Sequence, residues 1–138
     1  MIMKRIAACA GLAWFGAGAA HADPCEADLP TKAAASFSGT VRYVGDGDSL
    51  CVGSGATGAG WIEVRLADFD APELSTQPGR KAKDILVREA MGKQASCTVT
   101  KGRNGKTTTY DRVLAVCRIG GASIGDLLRR AGAPEGGR

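Results

Sequence analysis

Two carboxylate clusters and two arginines carry most of the chemistry open to this chain. Asp46, Gly47 and Asp48 lie in GDGDSL; Asp70 and Glu73 follow in VRLADFDAPE, with Arg65 five residues before Asp70. Arg112 comes later, in TYDRVLAV. The only histidine, His21, falls in a segment expected to be removed. The working protein then has no imidazole, so chemistry at neutral pH must run on carboxylates, guanidiniums and a hard metal ion. Acids that collect an oxygen-loving cation, beside arginines that neutralise an oxyanion, are the parts needed to cleave a phosphodiester.

Short strands must position these groups. Phe37 to Val44 is β-prone, Gly45-Asp46-Gly47 makes a tight turn, and Asp48 to Val52 continues as a second strand. Gly53 to Gly60 is a glycine-rich connection. Trp61 to Ala67 alternates: Ile62, Val64 and Leu66 share one face, and Trp61, Glu63 and Arg65 the other. If the aliphatic set is core, Arg65 points into a cleft from a rigid strand, which suits a catalytic cation. Arg80 to Lys93 reads as a helix with Ala82, Ile85, Leu86 and Ala90 on one stripe. Ser96 to Thr100 and Tyr110 to Ile119 are further strands around a polar loop at Asn104-Gly105. Ser123 to Arg130 is a second helix, with Ser123 and Asp126 at capping-box spacing and Gly132 and Pro134 as stops. The expected fold class is α+β and β-rich: a five-stranded barrel of the oligonucleotide-binding kind (OB-fold-like) with two flanking helices.

The N-terminus bounds the setting. Lys4 and Arg5 precede an apolar stretch from Ile6 to about Ala20, and Ala20-His21-Ala22 fits a small-x-small cleavage pattern. The expected organisation is a signal peptide over 1–22, an irregular extension over 23–35 and one barrel domain over 36–138. The mature protein is expected to be periplasmic or secreted, with no membrane attachment after cleavage, and monomeric. Its net charge falls from +4 to +2, too weak by itself to demand a polyanion partner. Local grouping matters more: Arg80, Lys81 and Lys83 cluster, as do Lys101, Arg103 and Lys106, which could track phosphates.

Cys9 leaves with the leader, so Cys25, Cys51, Cys97 and Cys117 remain. An even count in a small exported domain suggests two disulfides, for which three connectivities exist. Cys97 and Cys117 lie in strand-like runs flanking a turn-rich loop and are paired here; Cys25 then ties the extension to Cys51. Zinc is a poor alternative, since there is no CxxC spacing and no histidine partner.

VGDGDSL, VRLADFDAPE and TYDRVLAV, in this order and spacing, resemble the three signature blocks of the staphylococcal (micrococcal) nuclease, or thermonuclease, family. The resemblance covers about Gly39 to Gly132. It implies a five-stranded oligonucleotide-binding barrel and a Ca2+-dependent endonuclease acting on DNA and RNA, cutting at the 5′ oxygen to leave 3′-phosphates. It implies direct calcium ligation by Asp48, Asp70 and the Ala71 carbonyl. Glu73 matches the residue that meets the metal through water and activates the attacking water. Arg65 and Arg112 match the arginines that hold the reacting phosphate. Asp46 matches a supporting carboxylate. Tyr110 matches a tyrosine near the terminal phosphate, and Lys106 stands in the adjoining basic loop as a substrate contact. The family's later helix and base-stacking tyrosines have no counterpart in this sequence. Stacking is worth about 1–3 kcal/mol per base, so base preference is expected to differ. The competing reading is a non-catalytic module on the same barrel that binds nucleic acid or another polyanion.

Overall fold

In a computed structural model, residues 23–136 are described; the expected leader over 1–22 lies outside them. Strand β1 (Ser36–Asp46) is long enough to serve two partners. Its first half pairs antiparallel with β4 (Gln94–Val99) and its second half with β2 (Ser49–Gly53). Register shifts between Val41 and Tyr43, and between Val44 and Asp46, bend it from one partner to the other. Strand β2 runs on antiparallel to β3 (Trp61–Leu66) after a 3-10 turn at Gly58–Gly60.

Closure comes from β6 (Arg112–Ile119), which pairs antiparallel with β4 and parallel with β3. The parallel register sets Val64 against Val113 and Arg65 against Leu114. One step back along both strands, Glu63 is level with Arg112. Both arginines are thereby brought to one end of the barrel. The expected five-stranded barrel with two helices is the architecture present. Two further strands, β5 (Thr108–Thr109) and β7 (Ala122–Ser123), pair with β6. At two residues each they leave no periodic signal in sequence.

Inside the barrel lie Val41, Val44, Leu50, Val52, Val64, Leu66, Val99 and Val113, all at or below 3% exposure. Burying each such aliphatic group contributes about 1.5–3 kcal/mol. Helix α1 (Gln77–Ala90) packs Ile85 and Leu86 into this core, and α2 (Ile124–Arg130) adds Ile124 and Leu128. α1 begins three residues before the expected Arg80 because Thr76 caps it, its hydroxyl accepting from the Gly79 amide at 3.2 Å, with Pro78 in the first turn. It stops at Ala90, short of Lys93, where Gly92 takes φ +76°. The Ser123 hydroxyl caps α2, accepting from the Asp126 amide at 3.1 Å, as its spacing predicts.

The disulfides are Cys25–Cys51 and Cys97–Cys117, the expected pairs. Cys97 and Cys117 are direct cross-strand partners of β4 and β6, with Cα atoms 4.0 Å apart. Cys25 fastens the irregular segment before β1 onto β2. No helix among the described residues is long and apolar enough to cross a membrane.

Candidate active site

Three sequence-distant blocks meet in one polar cavity of about 250 Å³, lined by Asp46, Asp48, Arg65, Ala71, Pro72, Glu73, Leu74, Tyr110 and Arg112. Two close approaches make this possible. Gly47 sits in the β1–β2 turn, and a Cβ there would lie 2.6 Å from the Ala71 Cβ and 2.7 Å from the Ala82 Cβ. Only glycine lets the Asp46–Asp48 turn press against the 70–73 loop and α1. At Gly79, a Cβ would lie 1.9 Å from the Glu73 carbonyl oxygen. The Glu73 carbonyl also accepts from the Thr76 amide at 2.9 Å and the Thr76 hydroxyl at 2.6 Å. The backbone that carries Glu73 is thus packed on the start of α1, while its side chain stays exposed.

Arg65 is the hub. Its Nη1 donates to the Leu66 carbonyl and, at 2.8 Å, to the Phe69 carbonyl. Its Nη2 lies 2.6 Å from Asp70 Oδ1 and 3.1 Å from Asp48 Oδ2. Asp48 and Asp70 therefore flank one nitrogen. Asp48 Oδ2 also accepts from the Ala71 amide at 2.7 Å, which pins the β1–β2 turn to the loop. Asp70 lines a neighbouring groove of about 530 Å³ with Lys101, Arg103 and Asn104, and Arg65 faces both spaces.

Asp46 and Asp48 divide their charge unequally. Burial pushes the Asp48 carboxyl up to about 7, and the adjacent Asp46 carboxylate adds to the rise; the Ala71 amide and Arg65 oppose it. Burial acts on Asp46 as well, but is outweighed. Hydrogen bonds from the Asp48 side chain, the Ser49 hydroxyl and the Asp48 amide, with the Arg112 charge, hold Asp46 below the usual carboxylate range. The Ser49 hydroxyl donates to Asp46 Oδ1 at 2.7 Å and the Asp48 amide at 3.1 Å.

Arg112 makes no ion pair among the described residues; its guanidinium lies 5.9 Å from the centre of the Tyr110 ring, within cation–π range. Tyr110 is 93% exposed and adopts φ +54°, a costly backbone state for a bulky residue. Lys106 is not brought to the site: it sits exposed on the β4–β5 loop and lines neither space, while Lys101 and Arg103 of the same loop line the groove. Ala71 lines the cavity, and a Cβ on Gly136 would lie 3.1 Å from the Ala71 carbonyl oxygen.

No protein-family model and no curated protein matches this chain.

Sequence reasoning missed several supports. Arg129 of α2 donates to the Asp68 carbonyl, stacks 5.6 Å from the Phe69 ring centre and pairs with Glu135 at 2.9 Å. The Gly136 amide donates to the Asp70 carbonyl at 2.7 Å. The 68–70 turn is therefore held from inside by Arg65 and from outside by α2 and the segment after it. Ser49 is a further support, and a hydroxyl three residues after Asp46 at a turn is a recurrent local partner.

Asp48, Asp70 and the Ala71 carbonyl are the oxygen donors that could hold a hard divalent cation. The point that Asp48 and Asp70 share is taken by Arg65 Nη2 in this structure, so their other oxygens would have to meet the ion. Among the described residues no three acids, cysteines or histidines converge into a ready-made cage. Two carboxylates and a carbonyl leave the rest of the shell to water and substrate, as calcium tolerates.

Proposed function

We propose that this chain is an exported Ca2+-dependent endonuclease that hydrolyses phosphodiester bonds of DNA and RNA. The observation that carries the proposal is the single cavity in which Asp48, Arg65, Ala71, Glu73 and Arg112 meet, with Asp70 paired to Arg65 at its edge. Asp48, Asp70 and the Ala71 carbonyl would hold the calcium ion. When bound, that ion supplies Lewis-acid polarisation of a phosphoryl oxygen.

The protein's own groups do the rest. Glu73 accepts a proton from the water that attacks phosphorus. The new bond is oxygen to phosphorus; the bond that breaks is phosphorus to the 5′ oxygen, which takes a proton from solvent. The upstream fragment keeps the phosphate on its 3′ oxygen, and the downstream fragment leaves with a 5′ hydroxyl. Arg112, free of ion pairs, and Arg65 meet the negative charge that grows on the equatorial oxygens. Arginine can fork onto two of them, which lysine cannot copy. With two disulfides and no membrane-spanning helix among the described residues, an oxidising, extracytoplasmic setting suits the chain.

A zymogram of purified protein on DNA and RNA, with calcium and with chelator, tests the proposal. Cleavage that requires calcium and leaves 3′-phosphates is expected. Cleavage unaffected by chelator would sink the mechanism, and retention of nucleic acid without cleavage would favour a binding module.

A further inference from the structure

A second polar cavity, about 540 Å³, lies beside the first and shares Asp46, Leu74, Tyr110 and Arg112 with it. Its other charged lining is wholly acidic: Asp23, Glu63 and Asp111. Glu63 is 6% exposed, and no ion pair or side-chain hydrogen bond to a cation or N–H group reaches it among the described residues. The carboxyl at hydrogen-bonding reach is another acid, Asp23, and Asp111 adds a further negative charge. The Tyr43 phenol faces Asp23 and Glu63 as well. Among the described residues Arg112 is the one cation lining this cavity, against Asp23, Asp46, Glu63 and Asp111, so its charge falls short of the acids gathered there.

Asp23 is held firmly for a residue in an irregular segment. Two positions on, Cys25 is bonded to Cys51. The Glu26 amide donates to the Gly58 carbonyl at 2.8 Å and the Ala27 amide to the Trp61 carbonyl at 3.1 Å. The Pro24 carbonyl fills the space that a side chain on Gly58 would need. The Asp23 carboxyl packs on Gly45 of β1, within 3.2 Å of where a Cβ would stand. The expected leader cleavage falls on the bond directly before this residue.

We propose that the acidic cavity is a binding site for a primary ammonium, the α-ammonium that Asp23 acquires when the chain is cut after Ala22. This goes beyond the nuclease reading and rests only on its claim of export. Hydrolysis by a signal peptidase consumes one water: Ala22 leaves as a carboxylate, and the Asp23 nitrogen, a neutral amide before the cut, takes up a proton to become –NH3+. Covalent geometry keeps that nitrogen within about 4 Å of the Asp23 side-chain carboxyl. The new charge therefore arises beside the Asp23 carboxyl, which lies at hydrogen-bonding reach of Glu63, and its three N–H donors suit carboxylate oxygens. In the uncut chain, burial and then the Asp23 and Asp111 charges push the Glu63 carboxyl up to about 8, as expected of a carboxylate without a cation. The Arg112 charge opposes that rise. An ammonium there would offset part of the negative charge beside Arg112, so removal of the leader also adds positive charge next to the catalytic cleft.

Competitive acetylation across pH, read by mass spectrometry of the N-terminal peptide, tests this on protein exported to the periplasm of an expressing host. The first residue is read in the same spectrum. The Asp23 amine is expected to titrate at least one unit above the ordinary α-amino range of about 7.7–8.0. Glu63→Gln should abolish the shift. A chain starting at Ala22, whose ammonium sits one residue further out, should titrate normally, and it decides the question even if Glu63→Gln fails to fold. The groups facing the ammonium are Asp23 itself, Tyr43 of β1, Glu63 of β3, and Asp111 and Arg112 at the start of β6. A raised folded-state value means that the contact stabilises the fold fully below the ordinary range of about 7.7–8.0 and is lost as pH rises through the higher folded value. An ordinary titration in the Asp23-start chain, or an exported chain with another first residue, overturns the proposal. A protein that shows the shift but cuts no nucleic acid leaves this site standing and sinks the nuclease reading alone.

Discussion

Arg65 Nη2 sits 2.6 Å from Asp70 Oδ1, and the same nitrogen reaches Asp48 Oδ2 at 3.1 Å. One guanidinium thus joins two acids that are 22 positions apart in the chain. The Leu66 and Phe69 carbonyls take its other arm. Arg65 is then a structural tie as well as a proposed phosphate ligand, whereas Arg112 has no ion pair among the described residues. The two arginines should respond differently to substitution.

Arg65→Ala should lower stability by about 2–4 kcal/mol, since it leaves the buried Asp48 without its cation and the Leu66 and Phe69 carbonyls without their guanidinium donor. Arg112→Ala should leave the thermal midpoint nearly unchanged. Both should lower kcat at least about 100-fold. Thermal melts beside steady-state kinetics separate the effects; a large loss of stability in Arg112→Ala would contradict the assignment.

Asp48 carries a folded-state carboxyl raised to about 7. A raised carboxyl favours the folded protein while it is protonated. Its contribution is full below the unfolded value and is lost as pH climbs through about 7. Metal-free protein should therefore weaken between roughly pH 4 and pH 8. Asp48→Asn should remove much of that slope and melt higher than the parent near pH 8, while losing calcium-dependent activity. Melting curves in chelator across this range check the sign. A parent protein that becomes more stable over the same interval would contradict it.

Gly47 lets the acidic turn meet Ala71 and Ala82 at less than a normal contact distance for a side chain. Gly47→Ala must push the turn off the loop. Overpacking of this kind costs about 1–3 kcal/mol, and the calcium concentration for half-maximal activity should rise at least about tenfold, because a small misplacement of bound groups is costly. Gly105→Ala, at a turn with nothing near the added carbon, is the matched control; its strain from φ +77° should affect stability only.

Cys97–Cys117 joins neighbouring strands inside the core, while Cys25–Cys51 fastens the segment carrying Asp23. Removing either by paired Cys→Ala changes should cost about 2–4 kcal/mol. Loss of Cys25–Cys51 should in addition free the N-terminal segment, seen as faster amide exchange from Glu26 to Ala27. Amide exchange that is unchanged there would show that the backbone bonds to Gly58 and Trp61 suffice alone.

Alternation in Trp61–Leu66 placed Arg65 on the face opposite Ile62, Val64 and Leu66, because strand geometry dictates it. Capping chemistry placed the start of α2, and the flanking strands suggested the cysteine pairs. The sequence by itself determined which groups this protein owns for chemistry: Asp48, Asp70, Glu73, Arg65 and Arg112, and a barrel to hold them. It did not reveal that Arg65 ties Asp48 to Asp70, that Lys106 stands outside the cleft while Lys101 and Arg103 face the groove, or that Asp23, Glu63 and Asp111 gather beside Arg112. Those relations depend on the parallel closure of β3 against β6 and on the bend in β1. Both are long-range pairings whose register comes from the packing of the whole core, and no local pattern of residues encodes them.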